Sequence, residues 1–493
     1  MSVASTSDSS TIRFVLDGEV VSVTGLPATT TVLGYLRDLA GRTGTKEGCA
    51  EGDCGACTVV LGELTADGRG IDYRAINSCI RFLPTIDGKE LVTVESLQAA
   101  NGTLHPVQQA MVDCHGSQCG FCTPGFVMSL FSLYLENESP ARADVITCLS
   151  GNLCRCTGYR PIIDAGCCMS EYGQPERWSR VEAHGESHIE RLRALQRGAE
   201  APLQFPGFHA PLTVDDLAAA LKAAPDSLVL AGGTDVGLWT TKHLRDLPPI
   251  VYIGAIQELR EIRAEDGGLH IGAGASLTDA WAALASQHPA LAEQAQRFAS
   301  PPVRNSGTLC GNVANGSPIG DSMPALMALG AEVQLRQGPN RRRVRLEQLY
   351  LGYQKKDLRP GEFVESVFVP AARAGSLFAS YKLAKRSDQD ISAVCGAFAV
   401  ELSDGRITSA RLAFGGMAAV PARAANAEKA LLGQTWSRAA MDTAIAALSS
   451  DFQPLTDARA TQAYRLSGAA GMLKRFYLQQ VPDPPQLRVM EFV

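Results

Sequence analysis

Two sets of four cysteines stand out by their spacing. The first runs Gly48-Cys49-Ala50-Glu51-Gly52-Asp53-Cys54-Gly55-Ala56-Cys57, and Cys79 follows after 21 residues. A C-x4-C-x2-C run with a distant fourth cysteine is the plant-type [2Fe–2S] spacing. A loop wrapped around an anionic cluster needs unusual backbone angles and N–H groups aimed at sulfur, which Gly48, Gly52 and Gly55 permit without a Cβ clash. The second set is Gln118-Cys119-Gly120-Phe121-Cys122-Thr123-Pro124-Gly125 with Gly151-Asn152-Leu153-Cys154-Arg155-Cys156-Thr157-Gly158-Tyr159-Arg160-Pro161. Its C-x-C half is too tight for the usual zinc hairpin. Each pair stands before a helix-start signal, Thr123 as N-cap with Pro124 at N1, and Pro161 at N1. Two helix N-termini would then converge on one four-thiolate site and offset part of its negative charge, which suits a [2Fe–2S] cluster on a small helical bundle better than zinc.

The rest of the chain bounds what can surround these sites. At 493 residues it should form about three or four domains of roughly 150 residues. A net charge of −6 with 45% hydrophobic residues gives no basic surface, so nucleic acid is set aside as a partner. Met1 to Ile12 is Ser/Thr-rich without the charge and apolar run of a signal peptide, and no apolar stretch reaches spanning length. The expectation is a cytoplasmic protein with no membrane partner. Of 14 cysteines only Cys310 and Cys395 lie beyond Cys168, and a long chain without an export signal keeps its thiols reduced, so ligation rather than disulfide bonding is the expected use. Cys114, Cys148, Cys167 and Cys168 fit neither ligand pattern and read as core packing.

In chain order, Thr11 to Asp17 and Val20 to Val23 read as a hairpin turning at Gly18, and Thr31 to Ala40 as a helix with Val32, Leu33, Leu36 and Leu39 on one face. Met169 to Leu203 is charged and polar, a linker with some surface helix, where His184 and His188 are expected to be solvated. Beyond it, Val214 to Ala224 reads as a helix and Ser227 to Leu230 as a strand running into Ala231-Gly232-Gly233-Thr234-Asp235-Val236. A strand ending in a Gly-Gly turn offers backbone N–H groups to a phosphate, but no G-x-G-x-x-G fingerprint is present, so a Rossmann assignment fails. A second glycine-rich stretch is Ser306-Gly307-Thr308-Leu309-Cys310-Gly311-Asn312, with Cys310 directly before Gly311. Glu332 to Arg336 and the basic run Arg341 to Arg345 suggest a basic sheet edge. Strands are expected at Ala393 to Leu402 and Ala410 to Phe414. Helices are expected over Ala422 to Leu432, Arg438 to Leu448 and Tyr464 to Leu478.

Both cysteine motifs in this order resemble the iron–sulfur portion of the xanthine dehydrogenase family of molybdenum hydroxylases, and the two glycine-rich stretches resemble its FAD domain. The resemblance runs from about Thr11 to about Leu478. It implies an α+β multidomain chain: a β-grasp ferredoxin-like domain over residues 10–95, a four-helix [2Fe–2S] bundle over 96–172, and a linker over 173–203. A vanillyl-alcohol-oxidase-type FAD domain would occupy 204–370, and a C-terminal α+β subdomain like that of CO dehydrogenase flavoproteins 371–493. Cys49, Cys54, Cys57 and Cys79 would hold one cluster and Cys119, Cys122, Cys154 and Cys156 the other. FAD would meet Leu230, Ala231, Gly232, Gly233, Thr234, Asp235, Val236, Phe298, Ser306, Gly307, Thr308, Gly311, Asn312, Asp321, Lys382 and Ile391, with Asp321 on the adenosine side. Gln118 matches a family glutamine that contacts molybdopterin.

The 123 residues after Pro370 are too few for a molybdopterin domain. The resemblance therefore implies a molybdopterin-binding large subunit as partner, in an (αβ)2 heterotetramer, with no catalytic acid or base on this chain. Electrons released from a purine would pass from the Cys119 site to the Cys49 site, then to FAD and NAD+. Alternatives are the corresponding chain of an enzyme acting on aldehydes or N-heterocycles, and a stand-alone NADH-dependent reductase in which a second cluster would have no task. A zinc-stapled interaction protein would need both ferredoxin spacings and both flavin stretches to be accidents.

Overall fold

The opening hairpin shows how closely local chemistry sets the architecture. Asp17 and Gly18 both have positive φ, 56° and 84°, the geometry of a two-residue turn whose twist matches its strands. It pairs Ile12–Leu16 with Glu19–Val23. The computed structural model describes residues 9–485 apart from positions 266, 374 and 482. The opening residues 1–8 and the end of the expected last domain from 486 lie outside the described residues. The chain divides into two compact units, one of residues up to 258 with 276–278 and 299–307, the other of 259–275, 279–298 and 308 onward.

In the first unit a five-stranded sheet has the order Glu19–Val23, Ile12–Leu16, Glu90–Val92, Thr58–Leu64, Ile71–Asn77, and within it Ile12–Leu16 and Glu90–Val92 run parallel. Alternation along the strands sends side chains to opposite faces, and here both faces are buried. Phe14, Val59 and Leu61 join a core with Leu203, Phe208, Leu230 and Tyr252, while Val15, Val60, Tyr73 and Val92 join the helical bundle's core. The bundle centres on Thr123–Glu136, which is apolar almost all round and buries Phe126, Met128, Leu130, Phe131 and Tyr134. Each such side chain contributes about 1.5–3 kcal/mol through the apolar area it removes from water.

Three expectations need correction here. The helix at Val32–Gly34 widens into a π-helical turn over Tyr35–Leu39, closed by Ala40 N–H to Tyr35 O. The wider turn rotates Leu39 off the apolar face, leaving it 59% exposed while Val32, Leu33 and Leu36 are buried. The expected linker carries helices at Arg180–Ala183 and Glu186–Leu195. Trp178, Ala183, Ile189, Leu192 and Leu195 pack into the bundle core, so this stretch is a strap rather than a free tether. His188 is not solvated: it is buried, and its Nδ1 lies 3.0 Å from Glu90 Oε2, where the Tyr73 hydroxyl also donates.

The second unit contains a sheet ordered Ile262–Glu265, Gly268–Gly272, Phe363–Pro370, Glu332–Gln337, Asn340–Arg345. The basic run is its edge strand, as expected, with Arg341 held by Glu365 and Arg342 by Glu362 and Asp357. A further sheet orders Leu377–Leu383, Val394–Ser403, Arg406–Gly415 and Ala422–Arg423. Helices Ala425–Leu431, Arg438–Asp451 and Gln462–Leu478 cover it through Leu431, Ala444, Leu473 and Phe476.

Candidate functional site

The four cysteines of the first set come together. Cys57 and Cys79 are buried and Cys49 and Cys54 half-buried. Gly52 and Gly55 take φ of +78° and +70°, which lets the loop turn its amides inward: the N–H groups of Glu51, Asp53 and Cys54 reach Cys49 Sγ at 3.4, 3.4 and 3.3 Å. Hydrogen bonds from the Cys54 and Cys79 thiols, assisted by those amides, hold Cys49 well below the ordinary thiol value. Cys54 and Cys79 are pushed up in turn, above all by Cys49. Four sulfurs gathered in one place with N–H donors aimed at them make the donor set of an iron–sulfur cluster, in which all four would bind as thiolates. Among the described residues no group of three or more His, Cys, Asp or Glu is arranged around a single metal ion; a binuclear cluster divides four sulfurs between two irons.

The second set converges from two helix starts, one residue out of the expected register. Cys122 itself is the N-cap of Thr123–Glu136 and Pro124 lies one position further in, because the Thr123 hydroxyl is taken by Ser117 Oγ at 2.7 Å. Tyr159, at φ 68°, caps Arg160–Cys168, and its hydroxyl accepts from the Cys154 N–H at 3.1 Å, fixing the C-x-C loop. Burial, then Cys154, pushes Cys122 up to about 12; the Cys119 thiol raises Cys156. Burial acts upward on Cys154 too, but the Thr157 hydroxyl at 3.2 Å and its amide bring it below the usual value. Cys119, Cys156 and Gln118 are exposed.

Backbone contact joins the two sites. The Leu153 N–H, next to Cys154, donates to Cys54 O at 3.0 Å. Asn152, 3% exposed, donates from Nδ2 to Gly55 O at 3.1 Å and Thr58 Oγ1 at 3.3 Å, and accepts from Ser129 Oγ at 2.7 Å. A Cβ on Gly55 would lie 2.1 Å from Gly151 O, and one on Gly125 2.1 Å from Gly55 O, so only glycine allows this approach. Spacing does not reveal Asn152 as a clamp. An amide side chain wedged between Gly151 and a ligand pair is the signal that was there to be used.

The Gly-Gly turn lies against the first site. Helix Val236–Thr241 follows it; Leu238 packs against the small core of Leu33, Cys57, Cys79 and Ile80, and the Thr241 hydroxyl donates to Ala50 O at 2.7 Å. A Cβ on Gly232 would stand 1.8 Å from Ser306 O, so the two glycine-bearing stretches touch through their backbones. Gly233, at φ +75°, would put a Cβ in ordinary contact, 3.7 Å from Ile80 O and from Leu230 Cδ1, so its backbone angle rather than crowding calls for glycine. A Gly-Gly turn whose second glycine takes positive φ is a backbone that a diphosphate can approach.

The second stretch is not a loop throughout. Helix Pro301–Ser306 and helix Leu309–Asn315 leave only Gly307 and Thr308 between them, and Thr308 caps the latter by accepting from Gly311 N–H at 3.0 Å. Asn312 thus sits inside a helix. Cys310 points into the second unit's core, its thiol 3.5 Å from Ile271 O and pushed up to about 12 by burial. In the same unit Asp321 is buried with both carboxylate oxygens engaged, Oδ1 by the Ser392 hydroxyl at 2.6 Å and Oδ2 by the Lys382 ammonium. Phe298 is buried against Trp281, ring centroids 5.4 Å apart, and Ile391 is 41% exposed. Cys114, Cys167 and Cys168 pack half-buried against the bundle core, and the Cys148 thiol donates to Ser129 O at 3.0 Å. Among the described residues no helix is long and apolar enough to cross a membrane.

Four protein families match the chain in order. Residues 14–82 match the "2Fe-2S iron-sulfur cluster binding domain", 93–167 the "[2Fe-2S] binding domain", 202–372 the "FAD binding domain in molybdopterin dehydrogenase", and 379–480 the "CO dehydrogenase flavoprotein C-terminal domain". The chain is 33% identical to xanthine dehydrogenase of Emericella nidulans, over 95% of this chain and 38% of that protein. It is 30% identical to xanthine dehydrogenase 2 of Arabidopsis thaliana, over 85% and 36%. It therefore spans less than two fifths of the length of these relatives. Among solved structures, carbon monoxide dehydrogenase from Hydrogenophaga pseudoflava superposes with a TM-score of 0.51 at 32% identity, covering 56% of this chain and 96% of that one. Quinoline 2-oxidoreductase from Pseudomonas putida 86 gives 0.50 at 25% identity, covering 55% and 95%. These matches define an iron–sulfur flavoprotein with two [2Fe–2S] domains and an FAD-binding domain. The chain belongs to the molybdenum hydroxylase family, as its FeS/FAD portion.

Proposed function

We propose that this chain is the electron-transfer part of a xanthine dehydrogenase, taking electrons from a molybdopterin-binding partner subunit and delivering them to NAD+ during oxidation of hypoxanthine and xanthine to urate. When bound, the clusters supply one-electron steps and the flavin converts them to a two-electron hydride transfer. The observation that carries the reading is the unbroken contact along the first unit. Leu153 N–H meets Cys54 O at 3.0 Å, which ties the second cysteine site to the first, and Leu238 packs on the small core that contains Cys57 and Cys79, which ties the first to the helix after the Gly232–Gly233 turn. Cys119, Cys122, Cys154 and Cys156 would hold the cluster nearer the partner, and Cys49, Cys54, Cys57 and Cys79 the inner one. Gly232, Gly233, Ser306 and Gly307 would receive the diphosphate of FAD. Exposed Gln118, beside exposed Cys119, would face the partner's molybdopterin in an (αβ)2 assembly. The relatives named xanthine dehydrogenase support the purine substrate. A second reading, the same electron path serving a partner that acts on another substrate, is favoured by the likeness to carbon monoxide dehydrogenase and quinoline 2-oxidoreductase.

The test is to purify this chain with its cofactors. NADH should bleach the flavin and drive reduction of artificial dyes, while xanthine alone should do nothing. Adding the molybdopterin subunit should restore xanthine-dependent NAD+ reduction, and Gln118→Ala should slow that reaction without touching NADH-to-dye turnover. Restoration by an aldehyde or N-heterocycle but not by xanthine would favour the second reading, and flavin inert to NADH would remove NAD+ from the scheme.

A further inference from the structure

The two cluster sites leave Cys114 and Cys168 unexplained, and their sulfurs stand 3.5 Å apart. Cys114 ends the helix Pro106–Asp113, between exposed Asp113 and His115. Cys168 is the last residue of Arg160–Cys168, its Sγ 3.6 Å from Ala165 O and its neighbour Met169 fully buried. Both thiols are half-buried rather than sealed. A disulfide is about 2.05 Å long, so roughly 1.5 Å of approach separates this contact from a bond.

We propose that Cys114 and Cys168 form a reversible dithiol–disulfide modification site, oxidised by a low-molecular-weight disulfide. Cys114, flanked by exposed residues, attacks the small disulfide as thiolate, forming a mixed disulfide and releasing one small thiol. Cys168 then attacks Cys114 Sγ, forming the intramolecular bond and releasing the second small thiol. Two electrons pass to the small disulfide, and the two thiol protons end on the two thiols released. Burial, and then Cys114 itself, pushes Cys168 up to about 11, which disfavours it as the first attacker.

The position of the pair gives the bond a consequence. The covalent loop from Cys114 to Cys168 encloses Cys119, Cys122, Cys154 and Cys156, all four cysteines of the second site. Such a closure restricts opened, metal-free states more than the folded one, so oxidation should slow loss of the second cluster. This consequence rests on reading those cysteines as cluster ligands; formation of the bond does not.

The chain carrying its cofactors is equilibrated anaerobically in mixtures of reduced and oxidised glutathione. Linked peptides are measured by mass spectrometry, and cluster signals by paramagnetic resonance on parallel aliquots reduced with dithionite just before freezing, because the oxidised [2Fe–2S] state is diamagnetic. A Cys114–Cys168 peptide should rise in the more oxidising mixtures and revert on adding reduced glutathione, with both cluster signals retained. Cys114→Ser and Cys168→Ser should each abolish it. Chelator-driven loss of the second signal should slow at least about threefold in the linked form. The proposal is overturned if the linked peptide is missing from the most oxidising mixture, if Cys114 pairs with Cys167 instead, or if linkage appears only in samples that have lost iron. Linkage with unchanged iron release would overturn the retention effect alone, because iron content reports the cluster assignment separately.

Discussion

Replacing Asn152 with Ala probes the seam between the two cysteine sites. The side chain makes three hydrogen bonds, two through Nδ2 to Gly55 O and Thr58 Oγ1 and one through Oδ1 from Ser129. Thr58 and Gly55 remain bonded to each other without it, through the Thr58 hydroxyl at 2.7 Å. The Ser129 hydroxyl does not fare as well, being fully buried and left with its acceptor removed. Net losses of about 1 kcal/mol per bond, with the larger penalty for an orphaned buried hydroxyl, sum to about 3–4 kcal/mol. For a unit of this size that lowers the melting temperature by roughly 6–12 °C, read from the loss of cluster absorbance on heating. The double variant Asn152→Ala/Ser129→Ala no longer leaves a buried hydroxyl unpaired and should recover about 1–2 kcal/mol of the loss. A melting-temperature shift below about 1 °C in the single variant, or strict additivity in the double, would refute the clamp.

Two further outcomes can be measured with the same protein. Gly233→Val places a β-branched residue at φ +75°, so the free turn should relax to a conformation about 1–2 kcal/mol lower that must be reversed on binding, and FAD affinity should fall by about an order of magnitude while both clusters stay; full flavin occupancy would show that the turn does not serve the cofactor. His105 donates from Nε2 to Trp178 O and accepts the Val107 N–H on Nδ1, so the fold needs the neutral ring, and burial pushes its pKa down to about 4. A histidine depressed from its unfolded value near 6.5 contributes stability that is complete above that value and lost as pH falls toward about 4. Between about pH 7 and 5.5 the stability advantage of the native chain over His105→Asn should shrink by about 1 kcal/mol in urea titrations; a pH-independent gap would count against the buried neutral ring.

Local chemistry that acts over a few residues was readable in the sequence. The two-residue turn at Asp17–Gly18, the ligand-like spacing of both cysteine sets and the Gly-Gly turn after Leu230 appear where expected, because each depends on backbone angles or spacing within one short stretch. Features that depend on distant partners were not. The strap from Trp178 to Leu195 looks like a polar linker because its charged face dominates the composition, and its apolar residues acquire meaning only against Tyr73 and Phe131. His188 looked solvated for the same reason; Glu90, its partner, is 98 residues away. The register at Cys122 moved by one because Ser117 competes for the Thr123 hydroxyl, and Leu39 left its face because a π-helical turn changes the period that the expectation assumed.

The Thr241-to-Ala50 hydrogen bond has a bearing on biosynthesis. It joins residues 191 positions apart, and Leu238, from the same helix, packs on the small core that contains Cys57 and Cys79. A ribosome that has made the ferredoxin-like sheet has yet to make the helix that roofs its cysteines. The inner site therefore stays uncovered during synthesis until Val236–Thr241 has emerged and docked. Iron and sulfide delivered in that interval meet an accessible loop, whereas delivery afterwards meets a site where Cys57 and Cys79 are buried and Cys49 and Cys54 half-buried. The order in which the chain leaves the ribosome thus sets a window for loading the inner site.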